Sequence, residues 1–402
     1  MEIAIIGGGA AGLCAGVHLV RGGAKVTIYE RKDRVGKKLL ATGNGRCNVS
    51  NRDLDLRHWH HSAAFVEEIL AEFSPAVRDE FFASLGIDLV EEDRGKLYPA
   101  TLQARTVLNS LRRHFASAGG EEKTDCFIRA VHPEQNALRL EGEGEVYAAD
   151  RVLVATGGRA MPASGSDGKG YQILTNLGHK LTRTFAGISA LVCESPYLRH
   201  LSGTKVEGTV VLYRDGEEVQ RETGEILFAK DGISGPPVLD LARAVGQEKG
   251  QFTVSVPMLN HLEQIPKYRE RIESRSYLAD TAEGFLEGIV SNKWVHVVLK
   301  ETGIGRDEPM DALDYEDRMR LLDALFAFSM PVTGVRGYDF AQVTCGGIDL
   351  ADFTPQLESV LCPGVYAAGE VLDVDGDCGG YNIHWAMASA RRAALDMLKK
   401  MS

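Results

Sequence analysis

The hydrophobic pattern begins at once. Ile3 to Ile6 is an apolar run of strand length, Ala10 to Arg21 has the composition of a helix, and Lys25 to Tyr29 reads as a second strand closed by Glu30. Residues 62 to 118 read as helix in two or three pieces. Within them Ala104, Val107, Leu108, Leu111 and Phe115 recur on one helical face, and Gly119 and Gly120 end the run. From Lys123 to Ala149 the period shortens to that of small strands, with glycine turns at Gly142 and Gly144. Arg151 to Ala155 is a buried strand running into Thr156, Gly157 and Gly158. From about Phe185 to Val335 the texture changes. Val206 to Tyr213, Glu225 to Ala229 and Gln251 to Val256 read as antiparallel strands, and helical patterns follow from His261 to about Phe328. The chain then gives a strand at Val365 to Ala368 and a last helix from Tyr381, introduced by Gly379 and Gly380.

This order predicts an α/β protein whose first domain is interrupted. Residues 1–186 and 336–402 are expected to form a Rossmann-like domain, a parallel sheet crossed by a small antiparallel one. Residues 187–335 are expected to form an insert, with a β-barrel part at about 187–258 and a small helical part at about 259–330.

Composition narrows the function. The 402 residues are 44% hydrophobic and 25% charged, ordinary for a globular chain, and 56 acids against 45 bases give a net charge of −11. That balance disfavours a broad nucleic-acid footprint. No apolar run approaches a membrane span, and no basic segment with a cleavage site precedes the first strand, so a cytoplasmic location is expected. Seven scattered cysteines without a C-x-x-C pair fit reduced thiols. No metal is expected. His58, His60 and His61 lack an acid or cysteine at ligand spacing, and the acidic run Asp373, Asp375, Asp377 fails as a calcium loop because His384 stands where a glutamate is required.

The chemistry concentrates where strands end. Gly7, Gly9 and Gly12 have the spacing G-x-G-x-x-G between a strand and a helix, the pattern that seats a pyrophosphate on a helix N-terminus. Glu30 is placed to accept hydrogen bonds from a ribose hydroxyl. The loop RKDRVGKKLLATGNGRCNVSN leaves that strand rich in bases and glycines, as a phosphate-facing loop requires. Gly157 and Gly369 mark two more strand ends where backbone comes close to something. The loop around Lys230, Ser234, Gly235 and Pro236 joins a strand to a helix in the insert.

The fingerprint, the ATGG strand end and the late YAAGE strand followed by a glycine-started helix together resemble the flavoproteins with two dinucleotide-binding domains, glutathione-reductase-like in their FAD half. The blocks KKLLATGNGRCNVSN, FAKDGISGPPVL, TCGGI and GEVLDVDGDCGGYNIHWA resemble more closely the BaiN/YhiN-type family of NAD(P)/FAD-dependent oxidoreductases. The resemblance spans nearly the whole chain. It implies FAD as cofactor and Ala11, Glu30, Arg31, Lys38, Asn44, Gly45, Val131, Glu370, Tyr381, Asn382 and Ile383 as its contacts, beside the glycines already named and Gly380. The chain departs from the family's usual Leu-Gln at Ile383-His384 and from its usual Thr-His at Ala229-Lys230, where a substrate is expected to sit.

The expected activity is therefore FAD-dependent reduction of an organic acceptor, such as an activated C=C bond, with NAD(P)H as a donor that docks and leaves. Cys47, His384, Lys230 and Tyr381 have suitable chemistry for the proton donor. Two other classes compete. An RNA-modifying flavoenzyme of the kind that acts on tRNA is expected to add a basic domain, and an electron-transfer or regulatory flavoprotein needs no dedicated substrate. The expected partner is a small molecule, and the sequence leaves the oligomeric state open.

Overall fold

The computed structural model describes residues 1–401 except 136, 260–264 and 274–280. It divides into two compact units, Met1–Ala186 with Tyr338–Ser402, and Gly187–Gly337.

The first unit is built on a parallel sheet. Strand β1 (Glu2–Ile6) leads through the glycine turn into helix α1 (Ala10–Arg21), and β2 (Lys25–Tyr29) follows. Helix α2 (Ala104–Ser117) precedes β3 (Glu121–Lys123), and β4 (Arg151–Val154) returns to the middle of the sheet. Strand β5 (Val365–Ala367) and helix α3 (Tyr381–Lys399) come from the end of the chain. The order is β5-β4-β1-β2-β3, every pair parallel, with Ile6 level with both Tyr29 and Val154. Such a sheet is covered on both faces, which is why Ile3–Ile6 of β1 and Val152–Val154 of β4 are continuously apolar instead of alternating. Ile5, Leu13, Val17, Ile28, Leu153 and Met387 are fully buried, each burial contributing about 1.5–3 kcal/mol.

Two features depart from the hydrophobic reading. The stretch 62–118 is not helical throughout, because Lys96–Pro99 pairs with Leu89–Glu91 on one side and with Ser50–Asn51 on the other, a small antiparallel sheet whose first two strands lie in sequence between Pro75–Ser84 and α2. Segments this short lack the length that separates strand from helix by period. Strand β3 escaped notice because Glu121-Glu122-Lys123 is charged, as suits a sheet edge. The crossover sheet is present as Ala130–Pro133, Leu138–Glu141 and Val146–Ala149.

The second unit contains a closed six-stranded antiparallel barrel. Around it run Leu191–Cys193, Gly232–Ser234, Glu217–Ala229, Lys205–Arg214, Phe252–Val256 and Phe328–Val335, which returns to the first. Val206, Val210 and Leu212 alternate inward, with Ile226, Phe228 and Val254 opposite. Trp294 places its ring edge-on to Phe228 and Phe328. Of the long helical segment read from the sequence, Ile265–Glu273, Ala282–Glu287, Asn292–Thr302 and Tyr315–Ala324 are helices, while 261–264 and 274–280 lie outside the described residues.

The turn after β1 depends on missing side chains. Gly7 has φ +106°, and a Cβ there would stand 2.4 Å from the Ala155 carbonyl oxygen. Gly7→Ala is expected to destabilise the apoprotein by about 3 kcal/mol in urea denaturation, since strain and backbone collision add. Gly23→Ala, also left-handed at φ +87° but with nothing within 4 Å, is expected to cost only about 1–2 kcal/mol.

A candidate dinucleotide site at the carboxyl edge of the parallel sheet

Four strand ends converge on one side of the first unit. The Gly7 N–H donates to the Tyr29 carbonyl at 2.9 Å, so the ends of β1 and β2 are tied. A Cβ on Gly12 would stand 2.0 Å from the Gly7 carbonyl oxygen, which fixes α1 hard against the turn. Gly9 differs. It is the N-cap of α1 and has nothing within 4 Å of where a Cβ would be. No side chain caps α1, and its first turn carries no acid. Unanswered N–H groups, the positive helix end and open room together make an anion seat.

Glu30 stands beside that seat. Its carboxylate accepts the Gly8 N–H at 3.0 Å and the Lys32 N–H at 2.9 Å. An ionised carboxylate has about four acceptor positions, so capacity for a ribose hydroxyl remains. Burial raises its pKa, partly opposed by those backbone hydrogen bonds. Arg31 pairs with Asp167 at 2.5 Å and lies over Phe127.

The ends of β4 and β5 complete the edge. A Cβ on Gly369, φ +77°, would touch the Ala11 side chain at 3.0 Å, which brings the end of β5 to the start of α1. Glu370 forms an ion pair with Lys38 at 2.5 Å and accepts the Thr344 N–H at 2.9 Å. Gly158 must lack a side chain because a Cβ would come within 2.8 Å of Glu370 Oε1. Thr156 and Tyr171 near this edge hold buried hydroxyls with no protein partner. Burial first, and then the charge of Glu370, push the Tyr171 hydroxyl far above its ordinary pKa, so it remains a neutral donor.

Helix α3 begins without a side-chain cap at Gly380, φ +96°, where a Cβ would strike the Ser50 carbonyl at 2.4 Å. Its first residue, Tyr381, is gripped on several sides. Trp59 Nε1 donates to the Tyr381 carbonyl at 3.1 Å, and His58 stacks on the Tyr381 ring at 4.4 Å. Asn382 bonds both backbone groups of Gly376, and Ile383 is half-buried. His58 and His60 both contact the Asp377 carboxylate, at 2.9 and 3.1 Å, holding its pKa below the ordinary range against the effect of burial. The histidine run therefore braces the start of α3. Among the described residues no cluster suits a metal.

The four proton-donor candidates separate. His384 is buried and burial lowers its pKa to about 3, so its ring is neutral near pH 7. Arg78 donates to the Ser50 hydroxyl, which lies 2.9 Å from His384 Nδ1, while Nε2 is buried without a hydrogen-bond partner among the described residues. Cys47 is buried at φ +62°, and burial pushes its thiol up to about 11. Asn44 and Gly45, on the same loop, are also left-handed and exposed. Lys230 is exposed on the second unit. Val131 pairs with Leu140 in the crossover sheet and turns its side chain into the core. Thr344, inside the TCGGI block, carries no local sequence signal of its own that marks it as part of this edge.

Helix end, glycine seat, ribose acceptor and the orphaned hydroxyls of Thr156 and Tyr171 fit FAD. Gly9→Ala is expected to leave thermal unfolding of the apoprotein within about 1 °C, since the methyl meets nothing, yet to weaken FAD binding about ten-fold or more by filling the seat; flavin fluorescence titration measures the second effect. Alkylation of Cys47 by iodoacetamide in the folded protein should be negligible at pH 8 and rise only as pH approaches the thiol's value, as peptide mass mapping would read.

The chain matches the HI0933-like protein Rossmann domain family over residues 1–396. It is 33% identical over 408 aligned residues to the 3-dehydro-bile acid delta(4,6)-reductase of Clostridium scindens, covering 98% of this chain and 99% of that one. It is 27% identical to the ribosomal RNA dihydrouridine synthase of Escherichia coli, covering 99% and 98%. This RNA-modifying relative is matched over almost its own full length, without the additional basic domain expected of the class that acts on tRNA. The fold is shared with the 3-ketosteroid delta1-dehydrogenase of Sterolibacterium denitrificans, at TM-score 0.51 and 9% identity over 99% of both chains. Among the described residues no helix is long and apolar enough to cross a membrane. Matched along almost its entire length, the chain belongs to the HI0933-like family of FAD-binding oxidoreductases.

Proposed function

We propose that this protein reduces a carbon–carbon double bond conjugated to a carbonyl in a small organic acceptor, with electrons from NADH or NADPH. The observation that carries the reading is the dinucleotide seat at Gly7, Gly9 and Glu30, single among the described residues and joined through Gly369 and Ala11 to the end of β5. One seat serves the resident cofactor, so a nicotinamide donor has to arrive and leave. The names of two full-length relatives support the acceptor class: one reduces a dehydro-bile acid, and the other forms dihydrouridine by saturating a ring double bond conjugated to a carbonyl.

Bound FAD would supply the hydride chemistry. The protein's own part is binding, orientation and proton management. The α1 N-terminus would take the pyrophosphate, Glu30 the ribose, and the Lys38–Glu370 pair and the start of α3 the flavin end. A positive helix end there favours negative charge on the reduced ring system. Tyr381, fixed between His58 and Trp59, and neutral His384 are the candidate donors closest in sequence to that end.

Reduction of RNA remains the second reading because the dihydrouridine synthases match along the whole chain. Charge weighs against it. The segment 187–337 carries 17 Lys and Arg against 24 Asp and Glu, so the second unit shares the acidity of the whole.

The purified protein is expected to be yellow, and NADH or NADPH should bleach its flavin under anaerobic conditions, with colour restored by a conjugated enone. If neither nucleotide bleaches it, the proposed donor is wrong. Restoration by a uridine-containing ribosomal RNA fragment but not by enones would favour the second reading. Glu30→Ala should lower FAD affinity about ten-fold or more, the worth of one or two hydrogen bonds to a charged group, and equal affinity in equilibrium dialysis would remove Glu30 from the ribose.

A further inference from the structure

One cation at the carboxyl edge has no task in this account. Arg159 directly follows the Thr156-Gly157-Gly158 turn beyond β4. Its backbone N–H and that of Ala160 donate to the Thr344 hydroxyl at 2.7 and 2.9 Å, and the Thr344 N–H donates to Glu370. The Arg159 backbone is thereby held next to the Lys38–Glu370 pair.

Its side chain is exposed yet constrained. The stem crosses Gly168, where a Cβ would come within 2.7 Å of Arg159 Cγ. The guanidinium lies over the Tyr338 ring, 5.3 Å from its centroid, and donates to the Thr184 hydroxyl at 3.0 Å. The Tyr338 hydroxyl donates to that same Thr184 oxygen at 3.1 Å. Of the neighbouring bases, Arg31 is matched by Asp167, Lys37 by Asp33 and Lys38 by Glu370. Among the described residues no carboxylate stands within ion-pair distance of Arg159. A planar fork fixed in orientation, with most of its N–H donors unspent, matches a carboxylate in two-point contact. It stands where ligands of open parallel sheets bind, beyond the carboxyl ends of the strands.

We propose that Arg159 binds a carboxylate carried by the acceptor, so that this protein selects acidic enones over neutral ones. The inference rests on the reading of the site as a reductase of conjugated double bonds, and it makes Arg159 a specificity residue. A phosphate of the nicotinamide donor offers the same kind of anion, and the test separates the two sources.

The FAD-loaded protein is titrated with 3-oxo-4-cholenoic acid and with its methyl ester, following the change in flavin absorbance. The acid should bind about ten-fold to a hundred-fold more tightly, as a charge-assisted hydrogen-bond pair predicts. Arg159→Met should bring the acid down to the affinity of the ester while FAD content and thermal unfolding hold, and Arg159→Lys should recover part of the preference. Equal affinities in the unsubstituted protein, no binding of either compound, or a preference that survives Arg159→Met would each overturn the assignment. In a second arm, a rise in the NADPH concentration needed to bleach the Arg159→Met flavin would assign the arginine to the donor and overturn it as well. Failure of the reductase reading has a different signature: reduced flavin that no enone, acidic or neutral, can reoxidise.

Discussion

The site depends on backbone packed against backbone where β1 becomes α1. Gly7 lies against the carbonyl of Ala155, and Gly12 against the carbonyl of Gly7. Neither contact tolerates a methyl group, and together they aim the first N–H groups of α1 at the open space beside Gly9. A helix end in water has its donors hydrated; this one is held at the edge of a sheet, where a pyrophosphate can replace the water. The positions of Glu30, Gly157 and Gly369 follow from the same construction, since each terminates a strand in register with β1 or with its neighbour.

Around that seat the protein spends charge in matched pairs. Lys38 answers Glu370, Arg31 answers Asp167, and Asp377 is held between His58 and His60. Pairing keeps the edge polar without a large uncompensated field, and it fixes long side chains that would otherwise be mobile. The buried groups follow a different rule. His384 and Cys47 are held neutral by the cost of charging a group away from water. Near pH 7 both are therefore neutral, not an imidazolium or a thiolate.

Family membership and substrate are separate matters here. The HI0933-like match covers the whole fold, and its full-length relatives include a steroid-type reductase and RNA dihydrouridine synthases on one scaffold. One scaffold therefore accompanies differently named acceptors, and family membership alone does not settle acceptor selection. Acidic balance and the orientation of Arg159 over Tyr338 are features of this chain that bear on that selection.

Much of the first unit was determined by local sequence. The limits of β1, α1 and β2 follow from an apolar run, a glycine spacing and a second apolar run, because each signal is complete within about thirty residues. Glu30 was legible for the same reason. What local signals leave open is which distant segments meet. Lys38 and Glu370, or His58 and Asp377, are separated by more than 300 residues, and nothing in either neighbourhood specifies the other. Thr344 and Arg159 become part of the edge only because β4 and the segment after the second unit return to one side of the sheet. Strand Glu121–Lys123, charged and three residues long, joins the sheet only because β2 offers it a free edge. Pairing between remote segments is decided by packing of the whole chain, where one strand's unmet hydrogen bonds and apolar face select the partner that fits them.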